Sequence, residues 1–158
     1  MRQTTKLTLW IAIPVLGLGS LVWLAFAFRR GIVAAYCEWG TTCIIASYAE
    51  EHDGNPPTRW DDLIGYEYHT QYLPTPRTIE YASSHVSVDF SALADFHAGR
   101  IKYLPNDVIS QTRGLPMHWI TPKSQLEAYF RNGDRPHGSF NREYADTLRH
   151  YAENFPVD

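Results

Sequence analysis

Seven histidines, two cysteines and a knot of acids are the residues of this chain whose types could carry chemistry. A metal centre built on one helix or hairpin needs spacings such as H-x-H, H-x-x-x-H, H-E-x-x-H or C-x-x-C, which bring two ligands to one ion. His52, His69, His85, His97, His118, His137 and His150 make none of them. A metal would therefore need a site assembled in three dimensions, for instance from His85, His97 and His118, and no metal or other cofactor is expected. Cys37 and Cys43 are six residues apart. On a continuous helix they diverge by about 240° and about 9 Å along the axis, too far to bond. A bend at Gly40-Thr41-Thr42 would let them close a loop, and an intermolecular disulfide is the other functional use. Two small buried side chains are the simpler account.

Nucleophilic catalysis finds no signature either. There is no G-x-S-x-G, and neither cysteine stands in a C-x-x-C motif. Ser83, Ser84 and Ser91 lie near His85 in sequence, a proximity that is common by chance. Glu50-Glu51-His52-Asp53 gathers three acids and an imidazole, which reads as a solvated helix end with His52 favourably placed at the negative end of the dipole. Nucleotide-binding loops are missing, since Gly17-Leu18-Gly19 falls inside an apolar run. No catalytic or cofactor-binding residue is assigned, no small-molecule ligand is expected, and the chain is not expected to be an enzyme. Tyr66, Tyr68 and Tyr72 are candidates for an exposed contact face, against the plainer alternative that they cover the core.

The elements that position these residues divide the chain at about residue 30. Leu7 to Phe28 holds no charge over 22 residues. As a helix it spans about 33 Å, enough for the hydrocarbon core of a bilayer. Trp10 and Trp23 stand toward its ends, and Pro14, Gly17 and Gly19, tolerated in lipid, lie within it. Residues 1–30 thus read as a single-pass membrane anchor. The alternative is a cleaved signal ending at Ala25-Phe26-Ala27, but the run exceeds the usual length and Arg29-Arg30 follows it like a stop-transfer flank. Lys and Arg are balanced, two before and two after, so the expectation of an extracytoplasmic outer domain rests on the signal-anchor pattern.

Residues 31–158 carry ten basic and 17 acidic residues, a net −7, with 18 aromatics. That charge argues against a nucleic-acid partner, and the aromatics supply a core for a single outer domain. The spacing of Ile32, Tyr36, Trp39, Cys43 and Ala46 predicts a helix over 31–53 continuing the anchor, with Gly31 as a joint. Gly54 and Pro56-Pro57 stop it. Thr58 starts a short helix over 58–65, with Asp61 as its capping-box partner and Trp60, Leu63 and Ile64 buried. Alternation in Thr78–Ala82 and His85–Phe90 predicts a hairpin turning at Ser83-Ser84. A helical turn at Ser91–Asp95 and strands at Ile101–Leu104 and Met117–Ile120 complete a sheet region over 78–120. Thr121-Pro122 opens a helix that stops at Gly133, and Tyr144, Leu148, Tyr151 and Phe155 mark another, so that helices fill 122–155. The expected fold is α+β: a membrane helix running into an outer helix packed on a small antiparallel sheet, with short C-terminal helices.

This organisation resembles a type IV pilin or pseudopilin. Tyr48-Ala-Glu-Glu-His-Asp-Gly54-Asn-Pro56-Pro57-Thr58, with Leu63 after it, is similar to the helix-to-loop junction of the type II secretion major pseudopilin. The local likeness covers residues 48–63. The chain departs from the family elsewhere: no basic leader adjoins Gly17 or Gly19, no Glu precedes Glu38, and no acidic calcium loop is recognisable near the C-terminus. The resemblance implies a pilin-like shape acting through protein–protein contacts in a secretion- or pilus-related envelope assembly, with the lipid bilayer and a protein partner or a second copy as its contacts. A tethered or secreted enzyme using histidine and carboxylate side chains is the first alternative. An accessory subunit packing through Gly17, Gly19 and Ser20 is the second.

Overall fold

The computed structural model describes residues 2–66 and 78–136, with residues 2–16 as backbone only. One helix dominates it. Helix α1 runs unbroken from Arg2 to Glu51, so the apolar run and the helix expected to follow it are one rod. Its lower part is bare: Leu18, Leu21, Trp23, Phe26 and Phe28 are all at least half exposed. From Gly31 upward it becomes the spine of an α+β domain.

The spine buries an unusual face. Ala34, Glu38, Thr41, Ile45 and Ala49, spaced four, three, four and four, are essentially inaccessible. The stripe expected from the sequence, Ile32, Tyr36, Trp39, Cys43 and Ala46, lies on the flank, with Ile32, Tyr36 and Trp39 only half-buried. Small side chains line the deepest face because backbone must approach α1 there. The closest approach is at Gly31. A Cβ at that position would lie 2.3 Å from the Leu115 carbonyl oxygen, and one at Gly114 would lie 2.4 Å from the Gly31 nitrogen. Gly31 is therefore a docking point inside a continuous helix rather than a joint. Gly40 likewise leaves the helix unbroken.

The stop after α1 is as expected. Gly54 adopts φ 84°, and its N–H returns to the Ala49 carbonyl at 2.8 Å. The following short helix is a single 3-10 turn, Trp60–Leu63. Asp62, not Asp61, caps it, accepting from the Thr58 N–H and hydroxyl, each at 2.7 Å, and from the Arg59 N–H at 3.2 Å. Those bonds, the Thr58 hydroxyl first, hold the Asp62 carboxyl below the usual range. Leu63 is buried, whereas Ile64 points outward.

The sheet is smaller than expected and differently paired. Residues Ile79–Ser83 form a short helix, α2, because Thr78 Oγ1 accepts from the Tyr81 N–H and Ile79 and Ala82 face inward three apart. Strand β1, Val86–Val88, pairs antiparallel with β2, Ile109–Gln111, in the register Val86 to Gln111, Ser87 to Ser110 and Val88 to Ile109. The segments Ile101–Leu104 and Met117–Ile120 are not strands. Between β1 and β2 lies α3, Phe90–His97, longer than one turn, and it ends before Gly99. Helix α4, Pro122–Asn132, has Thr121 as its N-cap, Pro122 in the first turn and left-handed Gly133 at its end. The segment expected to form the last helix lies outside the described residues.

Leu63, Ile79, Val86, Leu93, Phe96, Leu104, Val108, Ile109 and Leu126 close over Cys37, Ile44 and Ile45 of α1 in one core. Both thiols are free and buried, and burial pushes each up to about 12. The native protein should therefore resist iodoacetamide at neutral pH, because the thiolate is the nucleophile. Unfolding should release two rapidly alkylated thiols, a difference that intact mass reads directly.

Asp89 caps α3, accepting from the Ala92 N–H at 2.9 Å and the Ser91 hydroxyl at 2.8 Å. The Ala92 bond first, and the Ser91 hydroxyl next, lower its carboxyl. A lowered folded value means the stabilisation is complete above the unfolded carboxylate range, near pH 4, and is lost as pH falls through the folded value. Asp89→Ala should cost about 1 kcal/mol at pH 7. Its difference from the native protein should vanish in strong acid, as paired denaturant titrations would record.

Candidate functional site

The only acid inside the outer domain's core, among the described residues, is Glu38 of α1, which is 1% exposed. The Gln111 amide at the end of β2 donates to Glu38 Oε2 at 2.9 Å. The same amide donates to the Met117 carbonyl, while Gln111 Oε1 accepts from the Met117 N–H at 3.2 Å. Gln111 thus pairs with Met117 as a strand backbone would. His118 follows, and its Nδ1 donates to Glu38 Oε2 at 2.9 Å and lies 3.1 Å from Oε1. The carboxylate therefore has two side-chain donors, which answers the cost of burying it.

These bonds fasten the loop 112–118 to α1 at its upper end. The lower end is held by the Leu115 N–H, which donates to the Ala27 carbonyl at 3.2 Å beside the Gly31–Gly114 contact. A strap of seven residues is thus pinned at two separate heights along the rod.

Beside Glu38 opens a groove of about 480 Å³ lined by Asn106, Asp107, Ser110, Gln111, His118 and Thr121, among others. With Nδ1 committed to Glu38, His118 keeps Nε2 for solvent, and its side chain is 57% exposed. A buried carboxylate behind an exposed imidazole fixes tautomer and orientation, as in general acid–base sites.

The other chemistry-bearing residues are dispersed. His85 Nδ1 donates to the Tyr81 carbonyl at 2.9 Å, and His97 packs edge-on against Phe130. With His118 on Glu38, the three histidines that could have assembled a metal site each have a separate partner. No group of three or more potential ligands converges among the described residues. The acidic knot at the end of α1 is divided as well. Glu50 pairs with Arg135 at 2.8 Å, and Glu51 accepts from the Tyr66 hydroxyl at 2.7 Å. His52 stacks on Tyr48 and donates to its carbonyl at 2.7 Å, as suits an imidazole at the negative end of a helix. Tyr66 is half-buried against Tyr48; burial first, and Glu51 next, raise its phenol. It therefore covers the long helix, whereas Tyr68 and Tyr72 lie outside the described residues. Within the apolar run, Trp23 and Phe28 are exposed and the positions around Gly17 and Gly19 are open, while the side chains of Leu7, Trp10 and Pro14 are not described.

Comparison with known families, curated proteins and solved structures gives no match. The geometry stands by itself.

Sequence reasoning missed the Glu38–Gln111–His118 cluster, whose ends are 80 residues apart. The available signal was one acid on a helix face otherwise made of Ala34, Ala35, Thr41 and Thr42. Glu38→Ala should cost about 2 kcal/mol, from the cavity and the donor left without its acceptor. Glu38→Met fills the volume but still leaves the Gln111 and His118 donors without their acceptor, so it should recover only the cavity part, about half of that loss. Chemical denaturation of both variants tests this, and an equal loss in the two would show that charge rather than volume holds the strap.

Proposed function

We propose that this is a single-pass membrane protein of pilin-like shape whose outer domain acts through protein–protein contacts in an envelope assembly. One observation carries the reading. A single helix is apolar and bare on all sides over its lower part and forms the spine of a folded domain over its upper part. It is long and apolar enough to cross a membrane. A helix hydrophobic all round needs lipid or other helices about it. Because the rod is continuous and strapped at the exit point, the domain stands at a fixed height and azimuth above the bilayer. That suits a contact element better than a flexibly tethered catalyst. The intact mass of protein from native membranes, with alkaline carbonate extraction, tests it. A mass near 18.1 kDa in the carbonate-resistant pellet, with cross-links to neighbouring chains, is expected. A mass lacking residues 1–27, or a strictly uncross-linked monomer, would remove the reading.

The exposed His118 backed by buried Glu38 favours a second reading, a tethered hydrolase. Turnover of a p-nitrophenyl ester that is abolished by His118→Gln would support it. Equal rates with and without the imidazole would dismiss it.

A further inference from the structure

A second cavity, of about 210 Å³, lies where the rod leaves its bare segment. Phe26, Arg29, Arg30 and Val33 form one wall, and Tyr81 with His85 form the other. The first four recur at the three-and-four spacing of one helix face, so the wall changes from apolar to cationic within one turn of α1. Neither arginine has a hydrogen bond or a carboxylate partner among the described residues, and no Asp or Glu lines the cavity. Two guanidinium groups beside an open space, without a counter-charge, describe an anion site.

We propose that this cavity binds the phosphate of an anionic phospholipid headgroup. The inference rests on the membrane reading of the lower helix. Arg29 and Arg30 supply forked donors to the phosphate oxygens, and the Tyr81 hydroxyl, which has no hydrogen-bond partner among the described residues, adds a neutral one. Phe26 and the bare apolar flank below it, including Val22, receive the start of an acyl chain. A free phosphate shares the headgroup chemistry but has no use for that apolar continuation, which favours the lipid. His85 has its Nδ1 bound to the Tyr81 carbonyl and so holds the Tyr81 wall in place. A seated lipid would fix the domain's height on the membrane, since one wall belongs to the rod and the other to the domain.

Full-length protein in detergent would be offered equal amounts of phosphatidylglycerol and phosphatidylcholine, and the lipid retained would be read by native mass spectrometry. Retention of phosphatidylglycerol over phosphatidylcholine by about tenfold is expected, falling to parity in Arg29→Gln/Arg30→Gln. Arg29→Lys/Arg30→Lys keeps both charges but loses the forks, and should lose most of the preference if the pocket binds. An undiminished preference in the lysine variant would reduce the effect to diffuse attraction and overturn the proposal. Displacement of the lipid by inorganic phosphate would overturn it in favour of a soluble anion. Flotation of the same proteins with pure phosphatidylcholine vesicles separates the two readings. Floating protein without phosphatidylglycerol preference sinks the site alone, and protein that stays at the bottom sinks the membrane anchor itself.

Discussion

Arginine at both Leu18 and Leu21 is expected to move the protein out of the carbonate-resistant membrane fraction. Both side chains are 66% exposed and lie on the bare part of the rod, so the substitution leaves the folded part alone. Leu18 stands at the middle of the uncharged run and Leu21 is less than one turn above it. Each arginine near the centre of a span costs about 2.5–3.5 kcal/mol of insertion free energy, and the pair about 5–7 kcal/mol, more than the flanking Arg29 and Arg30 can offset. Leu18→Ala with Leu21→Ala is the control and should remain in the pellet. If the arginine variant also stays there, the bare segment is held by protein rather than lipid. A partner helix covering Gly17 and Gly19 would then be the better account, since space is open at both positions.

Features legible in the sequence were those decided locally. The absence of charge from Leu7 to Phe28 is compositional, and it is matched by one long helix whose described lower part is bare. The stop at Gly54, and the start and stop of α4 at Thr121-Pro122 and Gly133, are backbone grammar, fulfilled by positive φ at the two glycines. What failed depended on long-range pairing or on very short elements. Thr78–Ala82 alternates like a strand, but five residues cannot separate a period of two from a helical turn, and the Thr78 cap decided for helix. Strand β2 has three residues, and its partner lies across α3, more than a helix-length earlier in the chain. Glu38 illustrates the same limit at the candidate site. A single acid on a small-residue face reads as an interruption until Gln111 and His118 arrive from the other end of the domain. The cavity beside Arg29 and Arg30 was invisible for a related reason. Arg29 and Arg30 are ordinary flanking charges until Tyr81 and His85 form the opposite wall.

Gly31→Val should weaken the attachment of the outer domain to the rod by about 2 kcal/mol. Two effects of opposite sign compete. In a helix interior, replacing glycine normally gains several tenths of a kcal/mol to about 1 kcal/mol of propensity. Here the new Cβ would lie 2.3 Å from the Leu115 carbonyl oxygen, an approach that real Cβ atoms do not make. Relief cannot come from a rotamer, because the obstructing atom is backbone. Nor can the strap slide away cheaply. It is held below by the Leu115 to Ala27 hydrogen bond, and above by Gln111 and His118 on Glu38. Overpacking of this kind costs about 1–3 kcal/mol, which exceeds the propensity gain, and the γ-methyl groups of valine add to it. For a domain of about 100 residues the net loss corresponds to a fall in Tm of roughly 8–16 °C. Hydrogen exchange should localise the effect, with the Leu115 amide losing protection while the amides of α4 keep theirs under native conditions. Gly19→Val places the same side chain on the same helix with no atom within 4 Å, and should leave Tm unchanged. A Gly31 variant as stable as that control would mean that the strap does not seat on the rod. The fixed height proposed for the domain, on which both the proposed contact role and the proposed two-walled lipid site depend, would then be lost with it.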